Sequence, residues 1–203
     1  VVGNVTKVKG NALVSKSLDT AANNRYAVKY DYLNDDFLWM DTNLSNHSLA
    51  SKPINKETIL IMHVDRVSKI AKAYVNSTQV GTNLSIANDN TYDMDSISNF
   101  LIGAYNDASG TGVKSDQTLA GTLSEILVFN KALSDQQRMD LTLYLGEKWG
   151  FSDTLDTDND GMSDQREISL GSSPVNASET AVEPAFNLAD ISNLSVWFDA
   201  KNI

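Results

Sequence analysis

An all-β fold is predicted, two antiparallel sheets stacked as a sandwich with one helix near the C-terminal end of the domain. Three observations predict it. Short runs rich in β-branched and aromatic residues recur through the first 150 residues, Asn, Asp and Ser clusters that favour turns separate them, and one long stretch alone has helical periodicity.

The runs Ala12–Lys16, Tyr26–Tyr32, Phe37–Thr42, Thr58–Val64 and Lys69–Val75 read as strands, and their spacing is that of a sandwich. Lys69–Val75 leads through Asn76-Ser77 into Thr78–Val80, a hairpin signal weakened because serine stands where a type I′ turn prefers glycine. Phe100–Ala104 and Thr122–Phe129 add two apolar strands, and the polar run Tyr105–Gly121 between them is predicted to be a surface loop. Ser134 caps a helix over Asp135–Glu147, with Gln137 in the capping-box position. Leu141, Leu145 and Trp149 follow one another on one face, which is expected to pack on the sandwich. Trp149 ends an apolar helical stripe and reads as core, not as a sugar-stacking platform.

With 203 residues, 41% hydrophobic content and a net charge of −10, the chain can bury one sizeable core. The negative charge and the lack of a basic patch argue against nucleic acid as a partner. No apolar run is long enough to span a bilayer, and Val1 opens no charged, apolar signal segment, so either a signal has been removed or the chain is a fragment. Cysteine is absent, and disulfides contribute nothing.

A different staple is written between Asp156 and Glu167. The run DTDNDGMSDQRE places acids at positions one, three, five, nine and twelve and glycine at position six. Ca²⁺ is a hard cation that takes about six to eight oxygens, so a short loop must turn sharply to aim alternate side chains at one point. Asp156, Asp158 and Asp160 supply the first oxygens, Gly161 permits the turn, Met162 offers its carbonyl, Asp164 ligates directly or through water, and Glu167 closes the site. The competing reading is a solvated acidic linker. Gly150 stops the preceding helix before Phe151–Leu155, so this is half an EF-hand, and a short exit helix over Ser163–Leu170 is ended by Gly171 and kept from resuming by Pro174. The stretch resembles the thrombospondin type 3 class of calcium repeat found in linkers of extracellular proteins. That resemblance implies a secreted or cell-surface protein.

The strands AYVNSTQVG and FLIGAYN, followed by GTLSEILVFNKALSDQQRMDLTLYLGEKWG, resemble the laminin G-like, concanavalin A-like jelly roll over roughly Thr58–Gly150. Such domains bind carbohydrates or proteins and are often strung in tandem. The resemblance also exposes an anomaly. The family commonly opens with a strand of the type LxxWLDA, which is missing before Val1, whereas ISNLSVWFDAKN lies at Ile191–Asn202. Leu194, Val196 and Phe198 alternate there with Ser195, Trp197 and Asp199, as a strand requires.

The expected organisation is a jelly roll over 1–150 lacking its opening strand, a calcium linker over 151–180, and a spacer with a donor-type strand over 181–203. Leu194, Val196, Trp197 and Phe198 are the expected partner-binding residues. If that strand enters a neighbouring copy, a head-to-tail filament follows. If it folds back, the product is a closed monomer. The spacer Gly171–Ala185, with Pro174 and Pro184, favours the outward route.

Catalysis is not expected. Retaining glycanases need two carboxylates about 5–5.5 Å apart, and no strand carries such a motif. Asp93 and Asp95 fall in the turn-rich run Ala87–Asn99 and read as loop acids or a second metal site. His47 and His63 stand without a partner motif, and neither a G-x-S-x-G elbow nor a phosphate-binding glycine loop occurs. Asn-x-Ser/Thr triplets at Asn4, Asn43, Asn46, Asn76, Asn83, Asn176 and Asn193 carry little weight in a chain so rich in these residues. Two functions are therefore expected in turn: a calcium-stiffened structural module whose terminal strand joins neighbouring copies, or a lectin-like adhesin binding glycans through Tyr105, Asn106 and Asp107.

Overall fold

Alternation of side chains across hydrogen-bonded strands sets the architecture. The computed structural model describes residues 1–5, 11–16, 26–31, 37–42, 45–51, 58–76, 78–86, 98–150, 162–172, 178–179 and 194–199. In chain order the strands are β1 (Val2–Val5), β2 (Asn11–Lys16), β3 (Tyr26–Asp31), β4 (Phe37–Thr42), β5 (Ser45–Ser51), β6 (Thr58–Asp65), β7 (Ile70–Val75), β8 (Thr78–Ser85), β9 (Leu101–Ile102), β10 (Ala104–Asn106), β11 (Val113–Thr118) and β12 (Gly121–Phe129). The helices α1 (Asp135–Trp149) and α2 (Asp164–Leu170) follow, and β13 (Leu194–Asp199) comes last.

A six-stranded sheet runs in the order β13-β12-β1-β6-β7-β8, and a five-stranded sheet in the order β5-β4-β3-β2-β9. A third pair, β10-β11, stands apart from both. The pairings β1–β12, β1–β6, β6–β7, β7–β8, β2–β3, β2–β9, β3–β4 and β4–β5 are all antiparallel.

In the β6–β7 hairpin Leu60, Met62 and Val64 lie opposite Val75, Ala73 and Ala71, so one apolar face forms from every second residue. Those residues join Leu13 of β2, Val28 of β3, Leu119 just after β11, Leu123 of β12, and Ile86 in one cluster. The two larger sheets thus contribute to a common core. On the other face of the six-stranded sheet Val2, Ile59 and Glu125 share a row and are buried as well.

The turns obey local chemistry. Between β6 and β7, Asp65 Oδ1 accepts from Val67 N at 2.8 Å and Ser68 N at 3.2 Å, and its Oδ2 accepts from Ser68 Oγ at 2.6 Å. Asn76 takes a left-handed φ of 56° in the two-residue connection between Val75 and Thr78, and its Oδ1 accepts from Ile59 N at 3.1 Å. Asparagine tolerates that conformation, so the hairpin forms without the glycine that the turn prefers.

Helix α1 starts with a complete capping box. Gln137 N donates to Ser134 Oγ at 3.2 Å and Ser134 N donates to Gln137 Oε1 at 3.0 Å. Leu141 and Leu145 are buried, and Trp149 is half-buried with Lys148 Nζ 5.8 Å from its ring centroid. Among the described residues no helix is long and apolar enough to cross a membrane.

The chain divides into two units, one of Val1–Ala132 with Ser195–Ile203 and one of Leu133–Leu194. The organisation expected from sequence was 1–150, 151–180 and 181–203. The terminal strand, expected as a separate donor element within 181–203, is hydrogen-bonded beside β12 at the edge of the chain's own six-stranded sheet. The predicted loop Tyr105–Gly121 is corrected too, because it contains β11, and Phe100–Ala104 is broken at Gly103, whose φ of 69° interrupts the extended backbone between β9 and β10.

Candidate functional site

Three groups of residues were expected to carry function, and the structure treats them differently. The first is the loop between β10 and β11, built around Asn106, whose side chain is 0% exposed. Its Nδ2 donates to Asn99 O at 2.9 Å and to Gly110 O at 3.0 Å. Ser15 Oγ lies 2.9 Å from both Asn106 Oδ1 and Ala104 O, and it shares its proton between them. Asn106 therefore ties β2, β10 and the loop together. It is occupied as a structural crosslink.

Asp107 closes the loop over itself. Its Oδ1 accepts from Ser109 Oγ at 2.6 Å, Ser109 N at 2.9 Å and Gly112 N at 3.3 Å. The hydrogen bond from the Ser109 hydroxyl, with those from backbone N–H groups, holds the carboxyl below the ordinary carboxylate range. A Cβ on Gly112 would lie 2.1 Å from Asp107 Oδ2, so the turn admits glycine there.

Tyr105 corrects an expectation. A sugar-stacking aromatic needs a free face, but Tyr105 is 1% exposed, packs with Ala12 and Ala27, and carries Lys29 Nζ at 3.5 Å from its ring centroid. Tyr105, Asn106 and Asp107 thus brace this end of the fold. They present no exposed aromatic rim.

The second group is the acid loop. Asp156, Asp158 and Asp160, with Gly161, lie outside the described residues; Met162, Asp164 and Glu167 lie within them. Ser163 is the N-cap of α2, with Glu167 N donating to Ser163 O at 3.0 Å and Arg166 N donating to Ser163 Oγ at 3.4 Å. At the other end Gly171 has a φ of 81° and Ser172 N donates to Glu167 O at 2.9 Å, which is the long hydrogen bond of a Schellman cap. The predicted exit helix is present with its Gly171 stop, and Pro174 lies outside the described residues.

That helix places Glu167, loop position twelve, at 0% exposure with both carboxylate oxygens buried. A solvated acidic linker leaves its carboxylates in water, whereas withdrawing one costs several kcal/mol unless countercharge or hydrogen bonds compensate. Asp164 is the first residue of α2, and Met162 is half-buried just ahead of its cap. This chemistry suits a hard divalent cation. Carboxylate and carbonyl oxygens would surround the metal, and the burial of the closing glutamate would shield one side of it from water.

The third group is Leu194, Val196, Trp197 and Phe198. Their backbone forms most of β13, in the sheet described above. Asp93 and Asp95, raised as loop acids, lie outside the described residues. His63 is half-buried on β6 opposite Lys72, a strand residue as expected. The signals that sequence reading missed are the Ser15 and Asn99 partners of Asn106, which stand 91 and 7 residues away along the chain.

No protein-family model matches the chain, and no curated protein matches it. Among solved structures it is similar to a candidate carbohydrate binding protein from Bacteroides ovatus, with a TM-score of 0.53 and 18% sequence identity. The match covers 70% of this chain and 39% of that one, so the chain spans well under half the length of that protein. At this identity the likeness is one of fold, a β-sheet domain.

Proposed function

We propose that the chain is a non-catalytic, extracellular structural module, a concanavalin A-like jelly roll whose C-terminal segment is organised by calcium. The strand order supports the fold: consecutive strands pair as hairpins within β6-β7-β8 and β2-β3-β4-β5, while β1 lies between β12 and β6. The first and last strands of the domain thus meet, as closure of a Greek-key sandwich requires.

One observation carries the calcium reading, the burial of Glu167 at the closing position of a twelve-residue acid loop. Asp156, Asp158, Asp160 and Glu167 are the proposed carboxylate ligands, Met162 gives its carbonyl, and Asp164 acts directly or through water. Without metal, five acids in one short loop repel each other. With metal, the segment joining α1 to α2 becomes a fixed joint. The position of β13 beside β12 supports a strand returned to its own domain in preference to one given to a neighbour.

Limited proteolysis with mass mapping tests this reading. Calcium is expected to protect residues 151–162 from cleavage and a chelator to expose them; equal cleavage in both conditions refutes the joint. A second reading, glycan binding, is favoured by the likeness to the Bacteroides ovatus protein. Because Tyr105 is buried, that activity would need a surface other than Tyr105–Asp107, and a glycan array decides it without assuming which.

A further inference from the structure

We propose that the turn between β6 and β7 is a docking tip for an anionic lipid surface, with Val67 entering the headgroup layer and Lys69 meeting lipid phosphate. The inference goes beyond both readings above and rests on neither, because the tip belongs to the unit of Val1–Ala132 and uses no residue of the acid loop.

Arg66, Val67, Ser68 and Lys69 join Asp65 to its cross-strand partner Ile70, and all four are exposed. Val67 is 93% exposed, against 49% and 44% for Val113 and Ile102, the other large hydrophobics exposed among the described residues. A lone apolar side chain on a surface is ordinary; the rigidity and charge of this turn set it apart. Asp65 accepts from Val67 N, Ser68 N and Ser68 Oγ, so its carboxylate is engaged within the turn. Lys69 O accepts from Ile86 N at 2.9 Å, which ties the loop to a residue of the main core cluster. Lys69 itself has a φ of 60°, a left-handed conformation that glycine or asparagine takes with less strain. A lysine there costs stability that glycine would not, which points to a use of its side chain outside the fold.

Charge gives the partner its sign and shape gives its kind. Arg66–Lys72 holds three cations and no acid, a density that no other seven-residue stretch of this chain of net charge −10 reaches. Lys72 stands on β7 opposite His63, two rows below the pair that closes the turn, and Arg66 enters only through its charge. Attraction between exposed charges fades within about 8 Å at physiological salt, so a surface at the tip meets mainly the charges of the tip. A projecting turn has no concavity to enclose a small ligand, and it offers no groove or sheet edge to a peptide. It suits a soft planar partner into which an apolar residue presses while lysines reach phosphate on their long stems.

Co-sedimentation of the full chain with vesicles tests the tip, in the presence of a chelator so that no calcium bridge contributes. Vesicles of equal parts phosphatidylglycerol and phosphatidylcholine are expected to bind the protein at low salt, and vesicles of phosphatidylcholine alone are expected not to. Salt at about 1 M, where the Debye length is about 3 Å, is expected to release it. Lys69→Gly is expected to weaken partition about fivefold, the effect of one cation at such a surface, while its Tm holds or rises because glycine relieves the left-handed φ. Val67→Ser is expected to weaken partition at unchanged Tm, and Val67→Trp to strengthen it with the blue-shifted fluorescence of an inserted ring. Absence of partition in the wild type overturns the tip, as does partition that Lys69→Gly and Val67→Ser both leave at the wild-type value. Binding to a soluble acidic polysaccharide that Lys69→Gly weakens, without any binding to the anionic vesicles, overturns the lipid surface in favour of a glycan.

Discussion

Replacing Asn106 with alanine tests how the loop that was expected to bind ligand is used. Its amide donates two hydrogen bonds, to Asn99 O at 2.9 Å and Gly110 O at 3.0 Å, and accepts from Ser15 Oγ at 2.9 Å. Ser15 keeps Ala104 O as an acceptor, and Gly110 O keeps the Asn99 N–H at 2.8 Å. Asn99 is exposed, so water can replace the donor its carbonyl loses, and that bond counts as an ordinary one. Three hydrogen bonds at about 0.5–1.5 kcal/mol each bring the expected loss to roughly 2–4 kcal/mol. For a chain of this size that lowers Tm by roughly 5–15 °C. Urea unfolding followed by tryptophan fluorescence is the assay, with the slope unchanged so that the shift in midpoint reports stability. A loss below about 0.5 kcal/mol, the level of an ordinary surface substitution, refutes the crosslink.

Four other outcomes are expected. Asp65 and Asp107 both titrate below the ordinary carboxylate value of 3.8, through hydrogen bonds from Ser68 and Ser109 respectively, so their contribution is present above that value. It is lost as pH falls through the lower folded-state pKa, so melts between pH 2 and 5 are expected to show less acid sensitivity in Asp107→Asn than in the wild type. Gly3→Ala places a Cβ 2.2 Å from Thr122 O in a strand paired on both sides, and a Tm fall matching at least about 2 kcal/mol is expected by calorimetry. Truncation after Ala185 removes β13 and bares the edge of β12, so light scattering is expected to show a full-length monomer and a less stable, self-associating truncation; filaments of the full chain would contradict closure in cis. No reducing sugar is expected from a panel of polysaccharides, and release that depends on Asp93 or Asp95 would overturn the non-catalytic reading.

Elements with local signals were legible in the sequence. The capping box at Ser134 and Gln137, the Gly171 stop of α2 and the β7–β8 hairpin each rest on residues within a few positions of each other, where backbone chemistry decides the outcome. Strands without apolar alternation were not legible. β5 reads SNHSLAS and pairs only with β4 at a sheet edge, and β11 reads VKSDQT with most of its residues exposed, so neither needs a hydrophobic face. Tyr105 was misread for a related reason. Gly103 breaks the period between β9 and β10, after which Ala104, Tyr105 and Asn106 are all buried, a pattern that alternation does not produce. In the acid loop the ligand spacing was visible as sequence, but the depth of Glu167 was not, since burial depends on the cap and on packing that pattern alone does not encode.

The central claim is a calcium-binding joint closed by Glu167, and calorimetric titration of the full chain with Ca²⁺ tests it most directly. Wild-type protein is expected to show one strong site, Asp160→Ala to lose it, and Glu167→Gln to lose it or weaken it at least tenfold while the fold is retained by circular dichroism. A wild type that takes up no calcium, or a Glu167→Gln variant that binds it with unchanged affinity, would contradict the account.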